Sequence, residues 1–176
     1  VDQLFSINTT TGVAKPVGNP LGFDSVRGLA FDPNSNTLYG SDDSTNQLIT
    51  INTTTGQGTA VGALGFNAVD GLAFDPAGNN GQGLLYGSDT STDQLITINV
   101  STGAGTAVGP YGMSFGQVRG LSFDSVTGTL FGTNTSSDEL IAISTSSGSA
   151  LARGPIGFGN VKGLAFDSAS ALLFGI

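Results

Sequence analysis

Short apolar stretches broken by Gly, Ser, Thr, Asn and Asp run the length of the chain, and one of them returns four times. Val26-Arg27-Gly28-Leu29-Ala30-Phe31-Asp32 comes back as VDGLAFD ending at Asp75, VRGLSFD ending at Asp124 and VKGLAFD ending at Asp167. Within it Leu29 and Phe31 alternate with Gly28 and Ala30, the period of two expected of a β-strand, strand A. The turn Asp32-Pro33-Asn34-Ser35-Asn36, with Pro and Asn where a type I turn favours them, leads to strand B. That strand is Thr37-Leu38-Tyr39-Gly40-Ser41, repeated as LLYGS, TLFGT and LLFGI. A polar hairpin joins it to strand C, Gln47 to Asn52, repeated as QLFSIN, QLITIN and ELIAIS. Its β-branched residues suit a strand buried on both faces. Thr53-Thr54-Thr55-Gly56 then turns into an outer strand D, Thr59 to Gly62. No segment carries a helical period.

The strand A glycines are Gly28, Gly71, Gly120 and Gly163, spaced 43, 49 and 43 residues apart. The longer interval comes from the extended turn Pro76 to Gly83 and the loop Pro110 to Gln117, so both insertions are expected in loops. Four-stranded units of this length are the size of β-propeller blades. The expected fold is therefore all-β, a single four-bladed β-propeller domain over residues 1–176 with four antiparallel strands per blade. The blades fall at about 26–62, 69–109 and 118–154, with the fourth assembled from 161–176 plus 1–18. Leu4 aligns with Leu48, so the N-terminal strands are C and D; Gly175 aligns with Gly40, so the C-terminal strands are A and B. Pairing them closes a ring across a gap of about 10 Å, a hairpin tip in width. Phe23, Phe66, Phe115 and Phe158, one in each linking loop, are expected to fill the seams between blades.

Composition narrows the function. A net charge of −8 with five Lys or Arg argues against nucleic acid, which needs a basic stripe, and against anionic membrane surfaces. No apolar run approaches the roughly 20 residues that span a bilayer. The absence of Cys and His removes disulfides, thiol chemistry, the usual zinc ligands and the commonest general base. Gly112-Met113-Ser114-Phe115-Gly116 fits a nucleophile-elbow pattern only in spelling, because no helix follows and no His exists to activate the serine. Asp32 to Asp43 begins like a calcium loop, but Thr37 stands where that loop requires Gly. An acidic chain this rich in Gly, Ser, Thr and Asn and poor in Lys is expected to be extracellular, secreted or at a cell surface.

The run from Val26 to Asn52, with its counterparts elsewhere, follows the pattern VxGLAFDPxxxTLYGSDxSTDQLITIN. It resembles the NHL and YVTN type of propeller repeat and related repeats of secreted bacterial proteins. The resemblance covers essentially the whole chain and implies the propeller fold. It implies no single function, since such propellers serve as binding platforms, scaffolds and occasionally enzymes.

Two sets of equivalent residues are candidate sites. Arg27, Asp70, Arg119 and Lys162 precede the strand A glycines, which sets three of the chain's five cations at one equivalent position near the axis. They could hold a carboxylate, sulfate or sugar acid at the channel mouth. The preferred alternative is a structural brace, in which they neutralise an acidic hairpin rim of Asp42, Asp43, Asp89, Asp93, Asp138 and Glu139. Asp32, Asp75, Asp124 and Asp167 end the same strands at the opposite mouth, where converging oxygens could hold an axial Ca²⁺ or another hard cation. The preferred reading gives each of them to its own turn, as a cap on backbone amides.

The expected function is a non-enzymatic secreted propeller, a binding or structural module for a small molecule, glycan or protein, with no cofactor. One alternative is a metal-dependent hydrolase or lactonase with an axial cation. Another is a self-assembling propeller that exchanges half-blades between chains, so that the chain is either a monomer or a swapped oligomer.

Overall fold

The computed structural model describes residues 1–176. Its strands are short and antiparallel, as the alternating pattern and frequent turn residues dictate. β1 (Phe5–Ile7) and β2 (Ala14–Pro16) form a two-stranded sheet. Three four-stranded sheets follow, each built in chain order. The first holds β3 (Val26–Asp32), β4 (Thr37–Asp42), β5 (Gln47–Ile51) and β6 (Gly58–Ala63). The second holds β7 (Val69–Asp75), β8 (Leu84–Asp89), β9 (Gln94–Ile98) and β10 (Gly105–Pro110), and the third β11 (Val118–Asp124), β12 (Thr129–Asn134), β13 (Glu139–Ile143) and β14 (Ala150–Pro155). The chain finishes with the pair β15 (Leu164–Asp167) and β16 (Leu172–Gly175). These are the strands A to D of the repeat, in a propeller-like stack.

The sheets are held face to face by an apolar filling between each successive pair. Leu48, Leu64, Val69, Leu72, Leu85, Ile96 and Ile98 join the first sheet to the second; Leu95, Tyr111, Val118, Leu121, Leu130 and Ile141 join the second to the third. Near the axis the seam has a knob-and-hole form. A β-carbon built on Gly28 would lie 2.9 Å from Leu72 Cγ, one on Gly71 3.1 Å from Leu121 Cγ, and one on Gly120 3.2 Å from Leu164 Cγ. Each strand A leucine thus occupies the space left by the glycine of the preceding unit, and any side chain there would displace it. At the outer rim, backbone meets backbone: a β-carbon on Gly62 would strike the Thr102 carbonyl, and one on Gly109 the Ser147 carbonyl.

Several expectations change in the structure. The four-stranded sheet expected from joining 1–18 to 161–176 is not formed; the two ends make separate two-stranded sheets, and no closed sheet results. The N-terminal pair packs on the first sheet much as each sheet packs on the next, and it supplies no strand A glycine: the Asp2 and Leu21 amides donate to the Phe23 and Asp2 carbonyls, and the Val26 amide donates to Asp2 Oδ2 at 2.7 Å. Leu29 consequently has no glycine to occupy, and with Phe31 it stays about half exposed, at 49% and 47%. Leu72 and Leu121, the equivalents of Leu29, are buried, because each faces a preceding sheet.

Of the linking-loop phenylalanines, Phe66 and Phe115 pack on the two large clusters and Phe23 on a smaller one around Leu21, Ile49 and Ile51. Phe158 is exposed, since the seam it would fill lies at the open end. The turn expected over Pro76 to Gly83 stays a turn: within the short segment Gly78–Gly81, Asn79 and Asn80 take left-handed, non-helical backbone with φ of 50° and 57°, a region that Asn tolerates better than most residues. No helix is long and apolar enough to cross a membrane.

Candidate axial site

The positions of Arg27, Asp70 and Arg119 follow from a defect in the ladder. In β3, Val26 pairs with Asp42 and Gly28 with Ser41, so two residues advance on one strand while one advances on the other. Arg27 is the extra residue. The same shift falls between Val69 and Gly71, around Asp70, and between Val118 and Leu121, around Arg119. A β-bulge releases its residue from the pleat and re-aims the side chain. Here the Ser41 and Thr133 hydroxyls accept from the Gly28 and Gly120 amides, at 3.0 and 2.9 Å, and hold two of the bulges open.

The re-aimed side chains converge. Asp70, with 4% of its side chain exposed, accepts from Arg27 Nη1 at 3.0 Å through Oδ1 and from Arg119 Nη1 at 2.6 Å through Oδ2. Arg27 Nη2 also meets Asp43 Oδ2 at 2.8 Å, while Arg119 Nη2 donates to Gln117 Oε1 at 2.5 Å and Thr90 Oγ1 donates to Asp70 Oδ2 at 3.3 Å. The copy with opposite charge is therefore the hub of the cluster, clamped between two guanidinium groups. Lys162 lies in the same ring without a carboxylate partner. Arg27, Asp70, Arg119 and Lys162 together line a cavity of about 290 Å³. A second space of about 210 Å³ continues from it along Leu29, Leu72, Leu121 and Leu164.

The acidic rim expected around this ring is mostly spent elsewhere. Only Asp43 joins it. Asp42 and Asp89 are fully buried in their own hairpins. Asp42 accepts from Ser44 Oγ at 2.7 Å and Thr45 Oγ1 at 2.6 Å, and Asp89 from Ser91 Oγ at 2.6 Å and Thr92 Oγ1 at 2.5 Å. Burial alone would raise both carboxyls, but these hydroxyls and the neighbouring amides outweigh it and leave both below the usual carboxylate range. Asp93 and Asp138 accept from the Gln117 and Asn160 amides, at 2.9 and 3.0 Å, and Glu139 accepts from Ser137.

At the other mouth, each of the second set of aspartates serves its own A-to-B turn. Asp32 accepts from the Asn34 amide at 2.8 Å and Ser35 Oγ at 2.6 Å, Asp75 from the Ala77 amide at 2.9 Å, Asp124 from the Val126 amide at 2.8 Å and Thr127 Oγ1 at 2.5 Å, and Asp167 from Ser170 Oγ at 2.6 Å. The four are not brought together, and no group of three or more acidic residues has the geometry to hold a metal ion.

The sequence pattern missed the bulge, although its signal is present: in the three complete units, Val-x-Gly on strand A faces Ser-Asp or Thr-Asn at the end of strand B. It also missed Tyr111, whose hydroxyl donates to Ser88 Oγ at 2.8 Å in full burial; burial is the main reason that its hydroxyl is held far above its ordinary pKa.

Known structures carry the same fold. The chain superposes on a chain of the nidogen/laminin complex with a TM-score of 0.75 at 19% identity, covering 98% of this chain and 65% of that one. It also superposes on virginiamycin B lyase from Staphylococcus aureus (TM-score 0.61, 16% identity, 99% and 56% covered). A third is a PQQ-bound aldose sugar dehydrogenase from Streptomyces coelicolor (0.59, 18%, 89% and 57%). The structural relatives are β-propeller proteins, and this chain spans less than two thirds of the length of each of these three. No curated protein matches by sequence. Residues 24–122 match a family described as a domain of unknown function, DUF4394.

Proposed function

The chain belongs to that DUF4394 family, and from this premise we propose that it is a non-enzymatic binding or scaffold propeller, extracellular, whose axial mouth takes an anionic group. In this reading the repeat is four-bladed, the fourth blade uniting a β15–β16 pair with a β1–β2 pair. The ligand class is a carboxylate or sulfate, as on a sugar acid or an acidic glycan, presented singly to the ring. The neighbours support a propeller without choosing its role, because they include both a lyase and a dehydrogenase.

One observation carries the proposal. Arg27 and Arg119 share the Asp70 carboxylate, whereas Lys162 faces the same cavity with no acidic partner. A cation left free beside an occupied clamp is the arrangement that an incoming anion completes. The chain also lacks Cys and His, so nucleophilic and general-base chemistry has few carriers here.

Calorimetric titration with galacturonate and with sulfate tests it. Binding that weakens with added salt and is lost in Lys162→Ala, with an unchanged melting temperature, is the expected result. Equal binding to wild type and Lys162→Ala, or no binding to either anion, would leave the ring as a structural brace alone.

A further inference from the structure

Two residue pairs in the second unit invite the same reaction, and the fold treats them oppositely. An asparagine or aspartate followed by glycine can close a five-membered succinimide ring, because glycine has no β-carbon to block its amide from the side-chain carbonyl. Of the chain's twelve asparagines only Asn80 precedes a glycine, and of its twelve aspartates only Asp70 does.

Asp70-Gly71 lies in the β7 bulge and is immobilised there. The Asp70 side chain is 4% exposed, and its two oxygens accept from Arg27 Nη1 at 3.0 Å and from Arg119 Nη1 at 2.6 Å. A β-carbon built on Gly71 would lie 2.3 Å from the Arg119 carbonyl oxygen, so the main chain has no room to swing toward its own side chain.

Asn80-Gly81 lies in the turn between β7 and β8. That turn spends eight residues, 76–83, where the turn between β3 and β4 spends four, 33–36. Asn80 and Gly81 are both exposed. Asn79 Nδ2 donates to Gln82 Oε1 at 3.2 Å, but the Asn80 carboxamide has no partner in the protein. A β-carbon built on Gly81 would meet nothing within 4 Å, so water reaches the pair and a ring has space to form. Three main-chain bonds close the turn: the Gly81 amide donates to the Ala77 carbonyl at 3.0 Å, that of Gln82 to Asn79 at 3.3 Å and that of Gly83 to Gly78 at 2.9 Å. None belongs to a sheet ladder, so they can open locally while the pairing of Asp75 with Leu84 keeps the base of the turn closed.

We propose that Asn80 is a site of spontaneous modification, converting in the folded protein to aspartate and isoaspartate, while the guanidinium clamp protects Asp70 from the same ring closure. The Gly81 amide nitrogen attacks Asn80 Cγ. An N–Cγ bond forms, the Cγ–Nδ2 bond breaks, and ammonia leaves with the Gly81 amide proton. Water then opens the succinimide. Breaking the N–Cγ bond restores the main chain and leaves aspartate; breaking the nitrogen's other acyl bond leaves isoaspartate, with the chain routed through Cβ and lengthened by a methylene. Either product adds a negative charge at the mouth formed by the A-to-B turns, away from the axial ring of Arg27, Asp70, Arg119 and Lys162. A turn with four residues to spare absorbs the longer main chain, so the mark accumulates with time without unfolding the sheets.

Folded protein and the same chain in urea, incubated side by side at neutral pH and mapped by peptide mass spectrometry, test this. Conversion raises the mass of the peptide by the difference between an amide and an acid, and electron-transfer fragmentation tells isoaspartate from aspartate. Asn80 is expected to convert in the folded chain within a few-fold of its rate in urea, ahead of every other asparagine. Isoaspartate at position 70 is expected only in urea. An Asn80 that persists in the folded chain after the unfolded chain has converted overturns the proposal, as does another asparagine reacting first. Isoaspartate at position 70 of the folded chain, formed as fast as at position 80, overturns the protection by the clamp. Asn80→Gln, whose longer side chain must close a six-membered ring, is expected to lose the mass gain and keep its melting temperature. A gain of the same size in that variant places the reaction elsewhere and overturns the assignment.

Discussion

The inner strands β3 and β7 have nearly the same sequence, VRGLAFD and VDGLAFD, yet one leaves its leucine and phenylalanine half in water while the other hides its leucine completely. The difference teaches that burial here belongs to the seam and not to the strand. β7 has a sheet on each side; β3 has one only on its C-terminal side and a two-stranded sheet on the other. The stack behaves as a quasi-one-dimensional array in which each unit depends on its neighbours.

The strongest way to break the comparison is to remove the same leucine from both settings. Leu121→Ala, at a filled seam, is expected to cost about 2–5 kcal/mol in denaturant unfolding, the range for buried leucines. Leu29→Ala, measured at low protein concentration, should cost under about 1 kcal/mol; equal losses would show that the open end is closed in solution. Next comes the charged ring. Asp70→Ala leaves two guanidinium groups facing each other and should cost about 1.5–3 kcal/mol, whereas Lys162→Ala should stay within about 0.5 kcal/mol. A smaller contrast is Phe66→Ala against Phe158→Ala: the first should lower the melting temperature visibly and the second should leave it almost unchanged.

The smallest effect is one of pH. Asp42 and Asp89 sit below the usual carboxylate range in the folded chain. The stability they contribute is therefore fully present above the unfolded value of about 3.9 and is lost as pH falls through the lower folded value. The third sheet carries Asn134 at this position, bonded to Ser137 at 2.7 Å and to the Ser136 amide at 3.2 Å, so an amide is structurally acceptable there. Asp89→Asn is expected to fold normally at neutral pH and to unfold less steeply in acid. Asp124 and Asp167, also lowered by their turn hydrogen bonds, keep some acid sensitivity in that variant.

Much of the architecture was readable in the repeat. Four copies of a Gly-Leu-x-Phe-Asp strand, followed by strands with a period of two, specify the sheets and their order, because register and alternation are local properties. The gathering of Arg27, Asp70, Arg119 and Lys162 was readable too, since equivalent positions in stacked units lie side by side. Two things were not. The bulge that swings these residues off the ladder depends on a pairing count across two strands, which no single segment reveals. The joining of the chain ends depends on the angle between successive sheets, a sum of many small packing choices that spacing alone leaves free. The acidic rim was misjudged for a third reason: in Asp-x-x-Thr and Asp-Asp-Ser-Thr hairpins the carboxylate is satisfied by its own turn before any distant cation can reach it.

The glycines at the rim and the leucines at the axis act as the two ends of a hinge pin. At Gly62 and Gly109 successive units touch main chain to main chain, with no room for a side chain, while at the hub their separation is the thickness of one leucyl group. The fan's opening angle is thus metered by a single residue type. Trading those leucines together for valine or methionine would tighten or spread the whole fan and, with it, change how many units complete a circle.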